Sequence, residues 1–161
     1  MAHSGVTITG PQSIKDNPIK NVRKTIVGTV GIDHIAIPTA DAERLIKFYK
    51  MLGFTINDEA EWRAGEARIF SIQVGDSKVN VHPEGFTADL RGPTAMPGCG
   101  DICFVWDGTA DDCKDWLEGL GVEIIRGPGP RKGAKAGGTL PAVSMYARDP
   151  DENLLEWMVY L

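Results

Sequence analysis

The chain has 161 residues, 42% of them hydrophobic and 24% charged, and carries a formal charge of −5 with both signs interspersed. That length suits one domain or two half-domains sharing a core, and the mild acidity offers no basic footprint for nucleic acid or for an anionic membrane surface. No apolar run approaches the ~20 residues of a membrane span, no N-terminal apolar core marks a signal peptide, and Cys99, Cys103 and Cys113 form no CxxC pair and fit reduced thiols. These totals point to a cytoplasmic protein whose partner is a small molecule.

Residues 1–28 mix Ser, Gly, Thr, Pro, Asn and Lys without periodicity and read as an arm, with His3 inside it. From Thr29 a strand runs to Ile37, with Ile35 and Ile37 on one face and His34 and Ala36 on the other. Asp41 caps a helix over Ala42 to Leu52, whose Leu45, Ile46, Phe48 and Tyr49 recur at helical spacing, and Gly53 stops it. A strand starts at Phe54 and ends at Asn57; Glu61 to Glu66 is polar apart from Trp62. Arg68 to Val74 and Lys78 to His82 alternate about a Gly75-Asp76 turn and predict a hairpin. Pro83 to Gly100 reads as a Gly- and Pro-rich linker.

The pattern then begins again. Asp101-Ile102-Cys103-Phe104 resembles His34 and its neighbours, and Thr109-Ala110-Asp111 repeats Thr39-Ala40-Asp41 seventy residues on. Asp111 or Asp112 opens a helix with Trp116, Leu117 and Leu120 on its apolar side. Val122 to Ile125 is a strand, Gly127 to Pro141 a long loop, Val143 to Ala147 a strand, Asp149 to Glu152 a turn, and Asn153 to Tyr160 the last strand. A two-fold repeat of strand, helix and three strands sets the fold: an α+β domain over residues 29–161, with module 1 at about 29–84, a linker at 85–98 and module 2 at about 99–161. Neither half buries its sheet face alone, so the two are expected to form a curved mixed sheet around a cleft.

Three strand-like runs each carry one metal-type donor on the face opposite their aliphatics: His34, His82 and Glu156. Glu156 stands seven residues after Asp149, and His82 seven after Gly75. Two imidazoles and a carboxylate with open positions suit Fe(II) first, with Mn, Ni, Co or Zn also accepted. Cys103 faces the same way as Asp101 and lines the cleft, and Trp62 is placed in an aromatic wall. Phe104 and Trp157 fall on the opposite face, under the helices. Arg126, Arg131, Lys132 and Lys135 flank the Gly-rich loop and are candidates to capture an anionic group of the substrate.

Asp33-His34-Ile35-Ala36-Ile37 with Phe48-Tyr49-Lys50-Met51-Leu52-Gly53-Phe54, and Asp149-Pro150-Asp151-Glu152-Asn153-Leu154-Leu155-Glu156, resemble the vicinal oxygen chelate superfamily of glyoxalases, extradiol dioxygenases and bleomycin-binding proteins. The resemblance covers roughly Val30 to Leu161 and is strongest to the small glyoxalase-domain-containing proteins. It implies two βαβββ modules around a divalent metal, a homodimer, and four metal-facing positions that here hold His34, His82, Asp101 and Glu156. It also places Tyr146 where extradiol dioxygenases carry a tyrosine that contacts the catecholate. An extradiol-type ring-cleaving dioxygenase is thus the first expectation, with protons handled by Tyr146, Asp101 or a metal-bound water. A glyoxalase-type lyase or isomerase, with Glu156 as proton shuttle, comes second, and a metabolite- or drug-binding resistance protein third.

Overall fold

The computed structural model describes residue 29 and residues 31–161, so the expected arm at residues 1–28 lies outside the described residues. In chain order the elements are β1 (His34–Pro38), α1 (Ala42–Met51), β2 (Ile56–Asn57), α2 (Glu59–Arg63), β3 (Phe70–Val74), β4 (Ser77–His82), β5 (Asp101–Trp106), α3 (Ala110–Gly119), β6 (Arg126–Lys132), β7 (Pro141–Arg148) and β8 (Leu154–Tyr160). They build two four-stranded mixed sheets, in strand orders β1-β4-β3-β2 and β5-β8-β7-β6. The α+β repeat read from the sequence is what folds. Each module begins with a strand that pairs parallel to its own last strand, and the other pairings are antiparallel.

Alternation explains which face is buried. Ile37, Val79, Val81, Phe70 and Ile72 are at most 4% exposed and face the buried side of α1, namely Ala42, Leu45, Ile46 and Tyr49. In module 2 the same alternation buries Phe104, Met145, Leu155 and Trp157 with Cys113 and Leu117 of α3. Aromatic rings continue this core from one module to the other: Tyr49 on Phe54, Phe54 on Phe104 at 5.2 Å between centroids, and Phe104 on Trp157.

The turn between β7 and β8 fastens the modules together. Asp149 is buried, and its carboxylate accepts the backbone N–H groups of Asp151 and Asn153, the Asn153 side-chain amide at 2.8 Å and the Tyr49 hydroxyl at 3.2 Å. Asp151 then accepts the Ala40 N–H, and Arg44 donates to the Pro150 carbonyl. Four donors satisfy the buried carboxylate, which burial alone would penalise. The Asp-Pro-Asp run therefore carries architecture rather than chemistry.

Four elements differ from the sequence reading, the first being the strand expected at Val122 to Ile125, where the chain is irregular. α3 is capped earlier than Asp111, because Thr109 accepts the Asp112 N–H while the Asp112 carboxylate accepts the Thr109 N–H, a reciprocal pair. A short helix, α2, forms where only a polar stretch was expected. Most of the expected loop after Gly127 is the strand β6, paired with β7 across a register shift between Arg126 and Gly129. As the edge of its sheet, β6 tolerates Pro128 and Pro130, which lack an N–H. Gly127 has φ +100° and a Cβ there would lie 2.3 Å from the Ser144 carbonyl oxygen, so only glycine fits.

Candidate functional site

On the polar face of the second sheet one row crosses all four strands in register. Cys103 of β5 pairs with Glu156 of β8, Glu156 with Tyr146 of β7, and Tyr146 with Arg126 of β6. Their sequence neighbours Phe104, Trp157, Met145 and Ala147 fill the core on the other face, which fixes the outward direction of the row. The row opens into a cavity of about 420 Å³ whose lining includes Asp101, Arg126, Arg131, Tyr146 and Glu156. No lining residue comes from module 1.

A hydrogen-bonded chain runs through this cavity. Arg131 donates Nε–H to the Tyr146 hydroxyl oxygen at 2.7 Å, and Tyr146 donates its O–H to Glu156 Oε1 at 2.9 Å. The guanidinium also donates through Nη1 to the Pro130 carbonyl and lies over the Tyr146 ring, 5.2 Å from its centroid. Its contact with the Tyr146 hydroxyl, reinforced by the Glu156 carboxylate, holds its pKa above the usual arginine range. Beside the chain, burial pushes the Cys103 thiol up to about 12, and the Glu156 and Asp101 carboxylates add to the rise. Cys103, though exposed, is thereby held as the neutral thiol at physiological pH.

The matching row of the first sheet holds Ala36, Asn80, Ser71 and Asn57. Asn57 donates to Gln73 at 2.8 Å, whereas the Asn80 Oδ1 is buried with no hydrogen-bond partner among the described residues. His34 pairs with Lys78 on β4, and its Nδ1 lies 2.7 Å from the carboxylate of Asp33. The imidazole lowers the Asp33 pKa. His82 pairs with Pro38, four ladder steps from His34 and about 13 Å along the strand at ~3.3 Å per residue. Its ring meets Phe86 edge-on at 5.1 Å between centroids, and burial, then Arg91, lowers its pKa.

These registers revise the correspondence drawn from spacing. Asp101 pairs with Leu154 and Glu156 is two residues on; His34 pairs with Lys78 and Asn80 is two residues on. The repeat mate of Glu156 is thus Asn80, and His82 corresponds to Met158. Counting from the turns misleads because five residues, Asp149 to Asn153, separate β7 from β8, whereas Gly75 and Asp76 alone separate β3 from β4.

Of the residues singled out in the sequence, Asp101, Arg126, Tyr146 and Glu156 share the module 2 cavity with Cys103 alongside, and His34 and His82 stand on the other sheet. Among the described residues no three His, Cys, Asp or Glu side chains converge as metal ligands would. Trp62 packs on Phe70 at 5.1 Å between centroids, in module 1. Lys135 lies over the Tyr160 ring at the far end of β8, 4.5 Å from its centroid, and lines no part of the cavity. Arg131, named in the sequence as an anion-capturing candidate, lines the cavity, and Asn80 is the residue that spacing did not bring forward. The alternation of β4 around Val79 and Val81 was a usable signal for Asn80.

No helix of the described residues is long and apolar enough to cross a membrane. The chain is 28% identical over 150 residues to the glyoxalase domain-containing protein RDO1 of Mycosarcoma maydis, covering 93% of this chain and 80% of the relative. It is 32% identical over 131 residues to virulence protein STM3117 of Salmonella typhimurium, covering 81% and 84%. The crystal structure of that protein superposes with a TM-score of 0.72 over 84% of this chain and all of its own. An integron cassette protein of V. cholerae, 30% identical, superposes at 0.71 over 84% of this chain and 99% of its own. The profile of the Glyoxalase/Bleomycin resistance protein/Dioxygenase superfamily matches residues 31–157, and the chain belongs to that superfamily.

Proposed function

We propose that the chain is a metal-dependent enzyme of this superfamily that acts on a small substrate through two adjacent oxygens and moves a proton next to a carbonyl, as a glyoxalase-type lyase or isomerase does. The observation that carries this reading is the Arg131–Tyr146–Glu156 chain inside the module 2 cavity. Tyr146 holds one oxygen of Glu156, so Oε2 takes the substrate proton and returns it to the neighbouring carbon. Arg131 fixes the phenol from its other side. A positioned acid–base pair of this kind contributes roughly 10²–10⁴-fold.

The donors His34, Asp101, Glu156 and the orphaned Asn80 amide oxygen are of the nitrogen and oxygen types that Fe(II), Mn, Ni, Co or Zn accept. A bound ion would polarise the substrate oxygens as a Lewis acid. In one chain these donors are split between two sheets and do not converge, so no step is drawn through the ion. The reading is that two copies share the site, the His34 face of one meeting the Glu156 face of the other. Mixing His34→Ala and Glu156→Ala variants tests it. Each alone is inactive, and re-equilibrated mixtures recover about a quarter of the activity if sites form across a two-fold interface; no recovery rejects the shared site.

The ring-cleaving dioxygenase is the second reading, favoured by Tyr146 beside Glu156. Turnover of a methylglyoxal–thiol adduct without oxygen, followed by solvent deuterium entering the product carbon, supports proton transfer. Oxygen uptake with catechols and no anaerobic turnover reverses the order.

A further inference from the structure

We infer that the β6 edge of the module 2 cavity seats a carboxylate, so that the substrate is a small organic acid whose second oxygen function lies toward Glu156. The inference deepens the proposed function by naming the substrate class, and it rests on that reading only for which end of the molecule reacts.

Charge is graded across the sheet. Asp101 lies on β5, Glu156 on β8, Tyr146 on β7, and both Arg126 and Arg131 on β6. Strands lie ~4.8 Å apart, so Asp101 on β5 stands about 14 Å from the β6 backbone and Glu156 on β8 about 10 Å from it. Of the two guanidiniums in the lining, Arg131 is joined to Glu156 through the Tyr146 hydroxyl, and Arg126 is the one left without a carboxylate close by. Arg131 is held by Tyr146 through Nε and by Pro130 through Nη1, which leaves Nη2 unused. Arg126 stands in register with Tyr146 and makes no ion pair among the described residues. A planar fork already immobilised by the protein, next to a second guanidinium, matches the two coplanar oxygens of a carboxylate.

The fold itself does not require the charge. At the same ladder place in module 1 stands Asn57, which is satisfied by Gln73. A neutral side chain thus completes the equivalent sheet edge. Arg126 is therefore charge that the sheet edge does not need, placed beside a guanidinium that Tyr146 and Pro130 hold in position.

The test is calorimetric titration of the full chain with 2-hydroxybenzoate and with 2-hydroxybenzamide, which share a shape and differ in charge. The wild type should bind the acid about tenfold or more tightly than the amide, and the preference should shrink as salt is raised. Arg126→Gln should cut the preference to less than about threefold, and Arg126→Lys should keep part of it. Equal affinities, a preference unmoved by both salt and Arg126→Gln, or no binding of either probe at millimolar concentration would overturn the assignment. Inorganic phosphate binding more tightly than the acid would replace carboxylate by phosphate and also overturn it. Because the readout is binding alone, loss of the proton-transfer reading leaves the result intact, and the reverse holds as well.

Discussion

Two rows of four residues occupy the same ladder positions in the two halves of the repeat, Ala36-Asn80-Ser71-Asn57 in module 1 and Cys103-Glu156-Tyr146-Arg126 in module 2. The scaffold under both is alike: a parallel pair, a hairpin and an edge strand over a helix. What differs is ionisation. Module 1 presents amides, a hydroxyl and a methyl, with His34 one diagonal step away beside Asp33; module 2 presents a thiol, a carboxylate, a phenol and the Arg126 guanidinium, and Arg131, from outside the row, joins the phenol–carboxylate pair by a hydrogen bond. The core-facing halves of these strands are equally apolar, so the fold constrains one face and leaves the other free to specialise. Under the proposed function, proton chemistry falls to module 2 and neutral donors to module 1.

The largest expected effect tests that division directly. Tyr146→Phe removes the O–H that holds Glu156 while keeping the ring under Arg131. Turnover should fall roughly 10²-fold or more, whereas Ser71→Ala, the same ladder place in module 1, should leave it within about threefold. Steady-state kinetics of both variants decide the matter. Comparable losses in the two would show that the rows share the chemistry.

A middle-sized effect separates Asn80 from His82. Asn80 is the register mate of Glu156 and its amide oxygen is buried without a partner, while His82 lies two residues further along and packs on Phe86. Asn80→Ala should weaken metal uptake about tenfold, in line with loss of one weak ligand or one residue that orients a ligand; His82→Ala should change it little. Elemental analysis after dialysis against a metal buffer reads both. The opposite ranking would restore His82 to the ligand set and break the correspondence between the rows.

How much of this was legible in the chain follows from physical range. The two-fold repeat, the helices α1 and α3 and the core faces were readable because burial imposes periods of 2 and 3.6 over many residues, which the five-residue α2 with no buried residue does not show. Glu156 and Tyr146 were readable too, since alternation about Trp157 and Met145 puts both on the open face. Three features were not. β6 looks like a loop because an edge strand accepts two prolines, so composition there follows solvent exposure more than pairing. Arg131 was readable as a cation beside the cavity but its bond to Tyr146 was not, because it pairs with Ala142 and reaches back along a long flexible side chain. That Asn80, not His82, shares the ladder place of Glu156 was hidden because residue counts ran from turns of unequal length, whereas the ladder is counted from paired strands.

The smallest effect concerns the first member of each row, Cys103 against Ala36. If Cys103 merely fills the place of the alanine methyl, its thiol should be inert. With a pKa pushed up to about 12 by burial and by Glu156 and Asp101, the group is protonated throughout the physiological range. The nucleophilic thiolate is scarce until pH approaches that value. Cys113 is fully buried, and burial raises its thiol to about 11, whereas Cys99 and Cys103 are both exposed, so only the raised pKa separates Cys103 from Cys99. Mass-resolved iodoacetamide labelling at pH 7.5 should modify Cys99 first, with Cys103 and Cys113 lagging by more than about tenfold. Cys103→Ala should keep turnover within about twofold. Rapid labelling of Cys103, with Cys103→Ala inactive, would move the thiol from packing into the reaction and extend the chemical row of module 2 to all four strands.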